Sequence, residues 1–185
     1  MARKTITELT NQTNSSLPDN AVGLITPAVL RTLILDFLDT VTPAYANIVL
    51  TSGIGIPMTT SYTTISWSSI LILTDIYTVS LASGLVTRIA GPGVARVSFS
   101  IDVMAPSNSV TTFALFVDGI ETAWATSNTS SNSSGYQSYA FTAVVGSTNT
   151  NPTYQIRAKS SGTNNVSLTS GILVVENIWI GTGTV

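Results

Sequence analysis

Carboxylates are the only side chains in this sequence that could carry acid–base chemistry, because the chain contains no histidine and no cysteine. Histidine titrates near neutrality unaided, and the cysteine thiolate is the readiest nucleophile and soft metal ligand. What is left is nine acidic and seven basic residues. Hydrolysis by paired carboxylates needs two of them facing one bond, and in the C-terminal three-quarters of the chain the candidates are Asp75, Asp102, Asp118, Glu121 and Glu176. Asp118 precedes Gly119 in a turn dipeptide, and Asp102 falls on the polar phase of an alternating run. Both are accounted for by local structure. No Asp-x-Asp-x-Asp-Gly calcium loop occurs. These residues predict a protein that is not an enzyme, with no catalytic residue, no metal and no cofactor.

The remaining composition points toward contacts rather than chemistry. Charged residues make up 9% of the chain and hydrophobic ones 44%, whereas soluble monomer surfaces usually carry about a quarter to a third charged residues. A net charge of −2 supplies no basic footprint for nucleic acid. The longest apolar run of the leucine-rich stretch, Leu33-Ile34-Leu35, is far too short for a bilayer span. The expected partners are therefore protein, including other copies of the chain, with no nucleic acid and no membrane. A carbohydrate partner is the alternative, with Trp124 and Tyr136 as apolar platforms and Asn128 and Asn132 as hydrogen-bonding neighbours.

The elements that must position these residues fall into two parts, an arm and helix over 1–47 and a β domain over 48–185. The arm is polar and lacks periodicity, with Arg3 and Lys4 as its basic pair. Thr26 suits an N-cap and Pro27 the first helical position. Leu30, Leu33, Ile34, Phe37, Leu38 and Val41 then recur at helical spacing before Pro43, which predicts one amphipathic helix whose apolar stripe needs a platform. From there on the pattern is β. Val97, Phe99, Ile101 and Val103 alternate with Ser98, Ser100 and Asp102, and Asp118-Gly119 joins two apolar runs as a hairpin. Short strands punctuated by turns, with no further helix, predict a mainly β fold: an extended arm and one short α-helix followed by an antiparallel β-sandwich of jelly-roll type.

Three stretches resemble the trimeric jelly rolls of the tumour-necrosis-factor and complement-globular-head type: the strand Gly93-Val94-Ala95-Arg96-Val97-Ser98-Phe99-Ser100-Ile101, the hairpin Ala114-Leu115-Phe116-Val117-Asp118-Gly119, and the closing Leu173-Val174-Val175-Glu176-Asn177-Ile178-Trp179-Ile180-Gly181. That resemblance implies a homotrimer. The N-terminal part resembles a module of tailed-bacteriophage virion proteins through Leu17-Pro18-Asp19-Asn20, Gly23-Leu24-Ile25-Thr26-Pro27 and Leu30-Arg31 leading to Leu35-Asp36. Ala21, Val22 and Leu24 depart from that module, where polar residues are more usual. This second resemblance implies a capsid cement or decoration protein on the outside of the virion, assembled in the host cytoplasm and bound to the major capsid protein. Arg3, Lys4, Leu24, Ile25, Leu30, Leu33, Ile34, Phe37 and Leu38 would then make the shell and subunit contacts. A receptor-binding head- or tail-fibre protein that recognises a host surface glycan is the alternative it allows.

Overall fold

The computed structural model describes residues 43–51, 53–130, 135–162 and 164–179, together with helical residues 8, 11–13, 15 and 29–35. Twelve strands follow in order: β1 (Ala44–Leu50), β2 (Ile54–Met58), β3 (Thr63–Thr64), β4 (Ser69–Leu73), β5 (Tyr77–Ser80), β6 (Leu85–Arg88), β7 (Gly93–Ala105), β8 (Val110–Val117), β9 (Ile120–Thr129), β10 (Gly135–Ser147), β11 (Thr153–Ser160) and β12 (Asn164–Trp179). They form two six-stranded sheets. The front sheet runs β10-β7-β12-β1-β4 with β2 also on β12, and the back sheet runs β5-β6-β11-β8-β9 with β3 also on β11. Every recorded pairing is antiparallel. Sequence neighbours such as β6 and β7 lie in different sheets, while β12 returns between β7 and β1. This is the mainly β, jelly-roll sandwich expected from the sequence.

The core follows from strand alternation. β7 buries every second residue along its 13-residue length, so Ala95, Val97, Phe99, Ile101 and Val103 face inward while Arg96, Ser100 and Met104 face solvent. Leu173 and Val175 pair with Phe99 and Val97 on the same inner face. Phe113, Leu115 and Ile156 close the core from the back sheet. Aromatic contacts cross the sandwich, with Phe99 and Phe113 rings 5.6 Å apart and Phe113 and Tyr139 rings 4.8 Å apart. Trp67 belongs to this core, at 4% exposure.

Two turns tie the layers together. Asp118 and Gly119 both take positive φ, at 54° and 79°, the backbone that a two-residue hairpin with the native strand twist requires. The Asp118 carboxylate accepts from the Thr153 backbone N–H at 2.8 Å and from the Ser147 hydroxyl at 2.6 Å. One turn residue thus links the β8–β9 hairpin to the β10–β11 connection. Gly84 (φ +62°) lies against Trp67 in the β5–β6 turn, and a Cβ there would sit 2.6 Å from both the Ile65 carbonyl and the Trp67 Nε1.

Residues 62–67 depart from the strand that their composition predicts. Only Thr63–Thr64 pair with β11, because Ile65 and Trp67 turn into the core and the Trp67 N–H donates to the Leu81 carbonyl instead. Gly84→Ala is expected to cost about 2 kcal/mol or more, since it forces both a clash and a left-handed alanine. Gly55→Ala, with nothing within 4 Å of its Cβ, should stay within about 0.5 kcal/mol. Denaturant unfolding of the two variants checks this; equal stabilities would contradict the placement of Trp67 beneath Gly84.

Candidate functional site: an open sandwich side and an aromatic–charge cluster

β9 closes one side of the back sheet and β10 closes the same side of the front sheet. β8 shields one edge of β9, but seven of the eight β8 residues are buried or half-buried while β9 is exposed over most of its ten residues. Ile120 pairs with inward-facing Val117 yet is 72% exposed, and Trp124 is 44% exposed. Both side chains are thus exposed at the margin of the core. The β8–β9 ladder is also interrupted between Ala114 and Phe116. Thr122 stabilises that bulge, donating its hydroxyl to the Leu115 carbonyl at 2.9 Å and accepting from the Trp124 N–H at 3.2 Å. A bulge of this kind re-aims side chains along an edge.

The opposite side of the sandwich is apolar as well. β4, at the far edge of the front sheet, is exposed along its whole length, including Ile70, Leu71, Ile72 and Leu73. Neither β4 nor β9 contains lysine, arginine or proline, the residues that usually discourage edge pairing.

A second feature occupies the outer face of the back sheet. The Tyr62 hydroxyl donates to Glu121 Oε1 at 2.6 Å, and its ring meets Phe116 edge-on at 5.1 Å. Arg157 lies 4.2 Å over the Phe116 ring, and Lys159 lies 4.3 Å over the Tyr62 ring. Gln155 Oε1 accepts from Arg157 Nε at 2.6 Å and so holds the guanidinium flat on the ring. Burial and the neighbouring Glu121 carboxylate push the Tyr62 hydroxyl up to about 12, so it stays a neutral donor. Tyr62 and Glu121 are 59 positions apart, and no spacing in the sequence links them. The alternation of β11 places Arg157 and Lys159 on one strand face.

On the outer face of the front sheet, Asp102 accepts from Ser138 at 2.5 Å and from Ser170 at 2.8 Å. These hydroxyls hold its carboxyl below the usual aspartate range, which makes it a weak base and an acceptor rather than a catalyst. Arg96 pairs with Glu176 at 3.0 Å on the adjacent strand of the same subunit. Among the described residues, no group of three or more histidine, cysteine, aspartate or glutamate side chains could hold a metal ion.

The residues singled out in the sequence are scattered. Leu30 and Ile34 are exposed on the helix over residues 29–35 and Leu33 is half-buried. Arg3, Lys4, Leu24, Ile25, Phe37, Leu38 and Asn132 lie outside the described residues. Trp124 and Asn128 share β9, whereas Tyr136, 73% exposed, pairs with Met104 on the outward face of β10. Trp124 and Tyr136 therefore belong to different sheets, on the two strands that close the same side of the sandwich.

Solved structures share this fold. The chain is similar to Eiger TNF from S. frugiperda (12% identity, 77% of this chain and 98% of that one, TM-score 0.51). It is also similar to murine APRIL (10%, 74% and 100%, TM-score 0.54) and to the globular domain of zebrafish complement 1qA (12%, 75% and 98%, TM-score 0.54). At these identities the likeness establishes the fold. No family model and no curated protein sequence matches the chain.

These matches overturn the virion resemblance, since they fall on tumour-necrosis-factor and complement-head structures and not on phage proteins. The capsid cement or decoration function, the major capsid protein as partner and the location on a virion surface are corrected with it. The motifs that suggested them are a few residues each, in a composition rich in Thr and Ser. Short matches of that kind recur without common descent.

The Asp102 geometry sets a pH dependence. A carboxyl with a depressed folded pKa contributes stability above its unfolded pKa of about 4 and loses it as pH falls through the folded value. Thermal stability is expected to be flat from pH 6 to 8 and to fall below about pH 4, with a shallower acid limb in Asp102→Asn. An unchanged acid limb in that variant would show that the Ser138 and Ser170 hydrogen bonds do not discriminate between the two protonation states.

Proposed function

We propose that the protein is a homotrimeric recognition module. Three jelly rolls pack with the β9–β10 side of one subunit against a different apolar surface of the next, and the outer face of the back sheet meets a protein partner. The observation that carries this reading is β9, a ten-residue edge strand exposed over most of its length, with Ile120 and Trp124 uncovered at the margin of the core. Unlike surfaces on opposite sides of a subunit give a head-to-tail contact, and rings close such contacts. The tumour-necrosis-factor-type fold supports three as the number.

Recognition through the back sheet rests on the cluster around Tyr62. Tyrosine and arginine are enriched among the few residues that dominate binding energy at protein interfaces. The Tyr62, Arg157 and Lys159 side chains are already ordered by ring and hydrogen-bond contacts, which lowers the entropy lost on binding.

Sedimentation of the full chain at micromolar concentration is expected to give a trimer. Ile120→Glu combined with Trp124→Glu should weaken association by at least about 100-fold while the circular dichroism of the sandwich is retained. A wild-type monomer, or a trimer indifferent to both substitutions, would refute the assembly. For recognition, peptide display panned on the trimer should enrich ligands that a Tyr62→Ala trimer no longer binds. Ligands that bind both equally would remove the back sheet from the proposal without touching the trimer.

A further inference from the structure

Arg88 is the one described cation that the fold takes fully out of water. It ends β6 in phase with Val86, so the alternation that buries Val86 also buries Arg88, and both are 0% exposed. Its guanidinium Nε, Nη1 and Nη2 make no hydrogen bond within the protein, and neither does the buried Tyr154 hydroxyl. Tyr77, the cross-strand partner of Arg88, and Tyr154 are the groups whose phenols bear on it electrostatically.

An arginine cannot escape this position by losing its proton in the way a lysine can. An isolated charge in a protein interior costs several kcal/mol even after relaxation. The phenol beside it supplies no counter-charge, since burial pushes the Tyr154 hydroxyl up to about 12 and leaves it neutral. Ordered water would satisfy the N–H groups but would leave the charge uncompensated. The guanidinium fork supplies donors only, and the phenolic O–H beside it can donate as well as accept.

We propose that Arg88 and Tyr154 form an internal binding site for a small monovalent anion of chloride's size. The anion accepts from the guanidinium N–H groups and the Tyr154 hydroxyl and neutralises the buried charge. Its position explains what it would do for the fold. The β6–β11 ladder spans two residue pairs, Thr153 with Thr87 and Tyr154 with Val86, and the Arg88 backbone N–H and the Gln155 side-chain amide add bonds to the Pro152 and Ser83 carbonyls. An ion bound to both β6 and β11 fastens the β5–β6 hairpin to the back sheet. This inference stands independently of the trimer and of any partner.

The test is thermal unfolding of the full chain at fixed protein concentration, in chloride and in methanesulfonate of matched ionic strength. Above the dissociation constant, each tenfold rise in chloride is expected to raise Tm by about 2–4 °C, with no rise in methanesulfonate. Arg88→Met and Tyr154→Phe should abolish or reduce the chloride slope. Crystals grown in bromide should show an anomalous peak within hydrogen-bonding distance of the Arg88 guanidinium and Tyr154 Oη, a measurement that does not depend on any variant folding. A Tm indifferent to the choice of anion, or bromide-grown crystals with only water at that position, would overturn the site.

Discussion

A β-sandwich has two open sides, and each presents strand edges whose N–H and C=O groups must be paired by protein or water. Most of what is unusual here follows from how those sides are left. The β9–β10 side exposes Ile120 and Trp124 from the margin of the core, and the β4 side exposes a run of isoleucine and leucine. A chain with 9% charged residues has few means of keeping such edges solvated and apart. Covering them with further copies of itself resolves both problems by the same contact. The same economy explains where the few charges go. Arg96 with Glu176 and Glu121 with Tyr62 are satisfied within the subunit, on faces away from the open side.

The polar chemistry of the molecule is positional. Asp118 serves a hairpin and a neighbouring loop together, Thr122 fills a bulge, and Asp102 gathers two serine hydroxyls from flanking strands. Each is a short side chain whose hydrogen bonds stay local, as expected where serine, threonine and aspartate stand in for longer charged groups. Arg88 is the exception. It is a long, permanently charged side chain at a position where the alternation of β6 demands an apolar residue.

Some of this was legible in the sequence. The alternation from Val97 to Val103 and the Asp118-Gly119 turn marked a half-buried strand and a hairpin, because both signals are local and the structure realises them in place. β2 was hidden, since Gly53, Gly55 and Pro57 read as breakers; Pro57 is tolerated in the two-stranded pairing of β2 with β12 at the margin of the sheet. The cluster at Tyr62 could not be read, because it joins residues from four separate stretches of chain. Arg88 could have been: it shares the phase of Val86 in Leu85-Val86-Thr87-Arg88. The phage resemblance failed for a different reason, resting on short motifs in a biased composition, whereas the jelly-roll resemblance rested on strands in order and covered about half the chain.

The central claim is that the edge formed by β9 belongs to a subunit contact. Hydrogen exchange of the β9 backbone amides tests it directly, followed as the protein is diluted from micromolar to low nanomolar concentration. Slow exchange is expected along residues 120–129 in the concentrated protein, rising on dilution while β7 and β12 stay protected. Fast exchange of β9 at every concentration, as for an edge strand facing water, would contradict it.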